Sequence, residues 1–314
     1  MTESLNNRIQ QLQKKYDDLK NFIFDFFLDK HISELENNGY TIIHNVIDDQ
    51  EIITAKNMFY SWKNTIPDHD RIHPAVNPHG IYKFHEVGHQ RHAWYIRTQK
   101  TVTDIFKGIW DCQELVVSFD GSNYIPKNCN KKDNFWTHTD QSPAKKGLHC
   151  YQGMVTLTDN KERTLVVYEG SHKLHEKYFA DRGIENGGDW QVLDENYIDS
   201  IQHLKRPLHI PAGALVIWDS RTFHQNRYGK PNSEERMTQY VCYLPDNHAK
   251  NTETMTKKRV KYFKERRTTS HWPCPIKVNG KQPRTFGNPD KLIDYTALTP
   301  PQLDDLMPVI AKLL

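Results

Sequence analysis

The sequence predicts a mainly β protein, an antiparallel sandwich or barrel with helices leading into it. Three observations carry that prediction. From about residue 111 onward the chain breaks into short β-branched and aromatic runs; Gly, Pro, Asn and Asp punctuate them; and the helical patterns that open the chain are closed by Pro67. The runs are Glu114–Phe119, Gly153–Thr158, Thr164–Tyr168, Leu208–Ile210, Ala214–Trp218 and Thr238–Leu244.

In chain order, Leu5, Ile9, Leu12, Tyr16, Leu19 and Ile23 recur at alternating steps of four and three, which predicts a helix with a narrow apolar seam. The seam covers fewer than four heptads, so packing on its own domain is favoured, with a coiled-coil contact between copies as the alternative. A second helix is expected over Phe26–Asn37, stopped by Asn38-Gly39, where Gly suits a left-handed cap. Tyr40–His44 follows as a strand candidate, and Asp48-Asp-Gln-Glu51 opens a helix through Trp62 with acids at its positive end. No internal repeat or low-complexity tract interrupts the chain.

Composition sets the outer bounds. At 314 residues the chain can bury a sizeable core, and an aromatic share of 11% supplies large units of buried area despite a mean hydropathy of −0.79. The 42 Lys+Arg nearly balance 39 Asp+Glu, giving a net charge of +3, so composition calls for no nucleic-acid partner. No apolar run approaches the roughly 20 residues of a membrane span, and the first residues lack a signal-peptide core. Five scattered cysteines, with no Cys-x-x-Cys pair, suggest reduced thiols in a cytoplasmic setting.

The chemistry concentrates in three places. His138-Thr-Asp140 reads as extended, so positions i and i+2 present an imidazole and a carboxylate on one face. His224 follows the Ala214–Trp218 run and offers a third ligand; two histidines and one carboxylate on one side of an iron leave open positions opposite. Arg236 stands at the entrance to the last run, and a strand returning beside His224 would bring its guanidinium to a dicarboxylate. The simpler reading pairs Arg236 with Glu234 or Glu235 at the surface.

With these residues in hand, the sequence resembles the phytanoyl-CoA dioxygenase family of Fe(II)- and 2-oxoglutarate-dependent oxygenases, from about Asn38 to past His271. The resemblance rests on His138-Thr-Asp140, on Leu165-Val-Val-Tyr-Glu-Gly-Ser-His-Lys173, on Ile210-Pro-Ala-Gly-Ala214 leading into Trp218-Asp-Ser-Arg-Thr-Phe-His224, and on Arg236. A less-studied branch of the family is resembled through Val116–Gly121, Tyr151-Gln-Gly153 and Arg266–Pro273, whereas Asn160-Lys-Glu-Arg163 departs from the usual Gly- or Asn-rich loop. The resemblance implies a double-stranded β-helix, a cupin-like jelly roll with N-terminal helices packed on one sheet. It also implies iron held by His138, Asp140 and His224, 2-oxoglutarate held by Arg236, and O2 as co-substrate. The implied reaction is hydroxylation, because halogenating relatives lack the carboxylate that Asp140 supplies; succinate and CO2 are the co-products.

On this reading residues 1–314 form one domain: 1–37 a helical extension, about 111–250 the jelly-roll core, and 251–314 a basic helix and tail. Gln152 and Arg221 are expected near the metal as cofactor contacts, with Asp120 and Arg97 as weaker candidates. His85, His89 and His92 are expected in a partly solvated loop, and Lys257–Arg267 as a solvated basic helix. The expected substrate is small or lipid-like. The alternatives are a nucleobase or protein side chain as substrate, or a non-catalytic jelly-roll binding protein assembling through its N-terminal helix.

Overall fold

The structure, a computed structural model, describes residues 2–314, apart from the side chains of residues 2–6, 8, 17, 21 and 22. Helix α1 runs unbroken over Thr2–Asn38 where the sequence predicts two helices. Its C-terminal third docks through the buried Leu28 and Leu35, but Ile9, Leu12, Tyr16, Leu19 and Ile23 are each more than half exposed. The expectation that this seam packs on its own domain is therefore corrected: the helix outruns the sheet it docks on. The Leu5 side chain lies outside the described residues. No described helix is long and apolar enough to cross a membrane.

Numbered in chain order, the strands β1 (Tyr40–Ile43), β3 (Ser122–Ile125), β5 (Tyr151–Thr156), β9 (Leu215–Asp219) and β11 (Arg236–Val241) form one antiparallel sheet in the order β1-β9-β5-β11-β3. A second sheet, ordered β7-β4-β10-β6-β8, contains β4 (His138–Thr139), β6 (Leu165–Tyr168), β7 (Gln191–Val192), β8 (Lys205–Pro207) and β10 (His224–Asn226). Strand β2 (Leu115–Val117) pairs with β12 (Tyr243–Pro245) in a short ribbon. The two five-stranded sheets pack as a jelly roll.

The alternation of side chains explains which runs were legible. On β5 and β9, Met154, Val216 and Trp218 face the second sheet's Leu165 and Val167, while Val155, Leu215 and Ile217 face the helices. Central strands covered on both faces read as unbroken apolar runs. Helices α1, α2 (Asp49–Lys63), α3 (His69–Val76), α4 (Arg91–Arg97) and α5 (Lys100–Ile109) precede the core, and Phe59, Trp94, Ile105 and Phe106 join the helix-side core beneath the first sheet. Asp48 caps α2 as expected, accepting from Glu51 N at 2.8 Å while the Glu51 carboxylate takes the Asp48 N–H at 2.8 Å.

Two expectations are corrected in this layer. His89 and His92 are 1% exposed and His85 4%, not in a solvated loop. His89 Nε2 meets the Arg267 carbonyl at 3.1 Å and His92 Nε2 the Ser122 hydroxyl at 3.1 Å, and burial pushes both imidazoles down to about 3. The basic helix Glu253–Lys264 is not wholly solvated either. Its Arg259 is buried, with hydrogen bonds to the Leu314 carbonyl at 2.7 Å and the Asn251 side chain at 2.7 Å.

Gly39 joins α1 to the sheet with φ +81°, and its carbonyl accepts from Asp219 N at 3.0 Å and Thr222 Oγ1 at 2.9 Å. A Cβ there would stand 2.4 Å from His172 Nδ1 and 2.7 Å from Thr222 Oγ1. Gly39→Ala is expected to lower stability by about 1–3 kcal/mol, from left-handed strain plus the clash. Thermal or urea unfolding measures this; an unchanged midpoint would mean the turn relaxes freely.

Candidate metal centre

Strands β4 and β10 are neighbours in the second sheet, and His138 lies directly opposite His224. Cross-strand partners share a face, so both rings enter the space between the sheets, with centroids 4.2 Å apart. Asp140 follows His138 by two residues and is fixed by its own N–H to the Ser220 carbonyl at 3.0 Å. Its Oδ2 lies 3.5 Å from His138 Nε2 and 3.2 Å from His224 Nε2, and one ligand atom from each residue falls within 4.8 Å of the others. Adjacent ligand atoms around an ion bound at about 2.1 Å stand roughly 3 Å apart, so this face fits one metal ion.

The tautomers suit that use. His138 Nδ1 donates to the Trp136 carbonyl at 3.1 Å and His224 Nδ1 to the Thr222 carbonyl at 2.8 Å, which leaves the Nε2 lone pairs facing Asp140. Burial would raise the Asp140 carboxyl, but His271, His138 and His224 override it and hold the group well below its ordinary value. Burial, helped by His224, lowers His138. The site thus offers a charged carboxylate and a neutral imidazole, as metal binding requires.

Gln152 lines the same cavity and donates from Nε2 to Asp140 Oδ2 at 3.1 Å. Arg221, expected as a cofactor contact, spends its guanidinium on Asp219, at 3.0 and 3.2 Å from Nε and 2.6 Å from Nη2; neither it nor Arg236 is among the residues that line the cavity. Arg97 also lies outside, holding the Gly88 carbonyl at 2.6 Å and the Asp120 carbonyl at 2.5 Å. Asp120 does line the cavity.

Arg236 reaches the interior by a route the sequence does not reveal. Its strand β11 pairs with β3 and β5 rather than with β10, so the guanidinium comes from the sheet facing His224 and not from a neighbouring strand. Neither Glu234 nor Glu235 pairs with it; the first accepts from Lys161 N and Arg163 N, the second from Tyr60. Arg236 is fully buried, its Nε donates to Asn160 Oδ1 at 2.8 Å, and its Nη1 has no partner. Burial pushes the guanidinium down to about 10, still charged at neutral pH. Thr238 Oγ1 and Asn226 Oδ1 are likewise buried and without partners. Unpaired polar atoms between two sheets are costly unless a ligand meets them, and a carboxylate is the group that an orphaned guanidinium nitrogen fits.

The cavity holding the triad has a volume of about 540 Å³, within the range of small-molecule sites. Trp136, Trp190, Trp218, Tyr240 and His79 wall it. The His79 ring stacks on Trp136 at 3.8 Å, and Trp136 on His138 at 4.8 Å. Sequence reasoning missed Trp190 and Asn160, because each sits in a loop without periodicity. Trp190 is held over His138, 5.9 Å between rings, by its neighbour Asp189, which binds Lys145 at 2.5 Å and Lys277 at 3.0 Å.

Comparisons with known proteins agree with this geometry. Ava biosynthesis cluster protein O of Aspergillus versicolor is 30% identical over 202 residues, covering 59% of this chain and 65% of that protein, so the chain spans just under two thirds of the length of that curated relative. Among solved structures, GlcNAc Inducible Gene 2 of Candida albicans superposes with a TM-score of 0.54 at 16% identity over 68% of this chain and 62% of that one, a likeness of fold. EctD from S. alaskensis, solved with 2-oxoglutarate and 5-hydroxyectoine, gives a TM-score of 0.47 at 14% identity over 69% and 75% of the two chains. The family model for phytanoyl-CoA dioxygenase matches residues 35–230, well over half the chain and the stretch that carries His138, Asp140 and His224. The chain belongs to the phytanoyl-CoA dioxygenase family.

Proposed function

We propose that this protein is an Fe(II)- and 2-oxoglutarate-dependent dioxygenase that hydroxylates a small or lipid-like organic substrate in the aromatic-walled cavity. The observation that carries the reading is the pairing of a two-histidine, one-carboxylate face with a buried Arg236 whose Nη1 is unpartnered. In this reading His138, Asp140 and His224 hold Fe(II), and Arg236 takes the far carboxylate of 2-oxoglutarate. The iron and keto acid, when bound, supply the oxidising chemistry that uses O2 and releases succinate and CO2.

The chain's own residues do the rest. Trp136 and Thr222 carbonyls orient the two imidazoles, and Gln152 orients Asp140. Asn160 fixes the Arg236 fork in the inter-sheet space, where the surrounding Met154, Leu165 and Val216 exclude water and strengthen its charge-assisted bonds. Trp136 and Trp190 stand against the His138 ring and His79 stacks on Trp136, so aromatic rings border the metal face where substrate would sit.

Purified protein supplied with Fe(II), 2-oxoglutarate and O2 is expected to form succinate, slowly alone and faster with a metabolite extract. Zn(II) in place of Fe(II) should give none, because it has no redox chemistry. Absence of Fe(II)-dependent succinate in both conditions would overturn the reading.

A further inference from the structure

The cavity that holds the triad carries a second polar group that the metal centre does not use. Residues 118–121 and 268–271 are laced together: Phe119 N–H donates to Thr269 Oγ1 at 2.9 Å, and Thr269 N–H to the Phe119 carbonyl at 2.9 Å. Asp120, next after Phe119 on one segment, and Ser270 and His271, the two residues after Thr269 on the other, line the cavity. The lacing leaves no freedom at the turn. A Cβ on Gly121 would meet the Tyr82 carbonyl at 1.9 Å, so only glycine lets the Asp120 turn seat.

The Asp120 carboxylate makes no ion pair, although the buried Arg97 guanidinium and His271 act on it from beyond contact distance. It accepts one hydrogen bond, from Gly121 N at 2.7 Å, and among the described residues no Lys, Arg or His lies within 4.0 Å of its carboxylate. Arg97 is adjacent but binds the Asp120 main-chain carbonyl instead, at 2.5 Å. His271 Nε2 is buried and has no partner. Burial pushes the Asp120 carboxyl up, and His271 pulls it back. A carboxylate withdrawn from water and left without an ion pair is costly, and this one lines the cavity.

The charge balance shows what would relieve it. On the function proposed above, which this inference rests on, the loaded metal centre is close to neutral: two positive charges on iron and one on Arg236 face one negative charge on Asp140 and two on the keto acid. Asp120 is then the carboxylate lining the cavity that no cation contacts directly, Arg97 being closed on main-chain carbonyls. The same cavity is lined by the rings of Trp136, Trp190 and His79, with His79 held down to about 4 and hence neutral by burial. Tryptophan faces attract cations. Lys83 also lines the cavity, but at its exposed rim, where solvent screens it.

We propose that Asp120, with His271 beside it, is the substrate anchor, and that the substrate is a small organic cation carrying a protonated amine, seated between the Asp120 carboxylate and the tryptophan rings. The amine donates to Asp120 and lets the rest of the molecule extend over the metal face.

The test is calorimetric titration of the anaerobic complex with Fe(II) and 2-oxoglutarate, using 2-phenylethylamine, its neutral isostere 2-phenylethanol and the anion 3-phenylpropanoate. The amine should bind about 10- to 150-fold more tightly than the alcohol, the range of a charge-assisted hydrogen bond. Asp120→Asn should narrow the gap to within about threefold and Asp120→Glu should restore part of it; a gap that survives Asp120→Asn would remove Asp120 as the anchor. Equal or undetectable binding of amine and alcohol by the wild-type complex overturns the proposal whatever the variants do. Tightest binding by the anion also overturns it and would assign the anchor to Lys83 and the neighbouring Arg266, Arg267 and Lys281. Failure of the complex itself to form, seen as no visible absorption, would fault the oxygenase reading rather than the amine.

Discussion

His138→Ala, Asp140→Ala and His224→Ala are each expected to abolish the visible charge-transfer absorption that Fe(II) and 2-oxoglutarate produce together without oxygen. The effect should be near-total because each residue supplies one of three ligand atoms that fall within 4.8 Å of one another, and none is replaceable by a neighbour. Bidentate binding of a keto acid needs two adjacent open positions opposite that face. Gln152→Ala provides the graded control. It removes only the 3.1 Å hydrogen bond to Asp140, and the loss of such a supporting bond costs about 10- to 100-fold in metal affinity. Anaerobic absorption titration measures both. If the three alanine variants keep the band and full turnover, the ligand assignment is wrong; a Gln152→Ala effect as large as theirs would make Gln152 a ligand rather than a support.

Arg236→Ala is expected to raise the 2-oxoglutarate requirement about 10- to 150-fold while leaving Fe(II) binding nearly unchanged. That range corresponds to the 1.5–3 kcal/mol typical of a charge-assisted hydrogen bond. Arg236→Lys should recover only part, since an ammonium lacks the planar fork that holds Asn160 with one nitrogen and presents another to a carboxylate in fixed geometry. Arg221→Ala should leave the keto-acid requirement alone, because its guanidinium is already closed on Asp219. Initial rates against 2-oxoglutarate concentration, with thermal melts to monitor folding, separate these outcomes. A loss of affinity in Arg221→Ala and none in Arg236→Ala would reverse the assignment.

Residue spacing carried much of this. His-x-Asp on extended chain predicts two groups on one face by the period of a strand alone, and His138 on β4 with Asp140 just past its end meet at the site as that period suggests. The apolar runs of β5, β6 and β9 were legible because both their faces are covered. Strands β3, β7 and β10 were not, being short, polar on one face or paired near the end of the sheet. The histidines at 85, 89 and 92 misled because burial depends on what packs over a polar loop, here Phe119 and Phe263 around His89, and no local pattern records that.

By itself the sequence determined the chemistry that local geometry can express: two ligands on one strand, a third past another, a basic residue on a third, and a glycine where α1 must turn into β1. Only the tertiary structure decided how those pieces meet. The pairing of His224 with His138 depends on two segments 86 residues apart joining one sheet, and Arg236 approaches from the opposite sheet because β11 pairs with β3 and β5. Arg221, three residues from His224, turns instead to Asp219. Asp120 and His271 meet only because Phe119 and Thr269 are hydrogen-bonded across 150 residues of chain. Strand order and long-range register follow from the summed burial of many side chains, and no short stretch of sequence carries that sum.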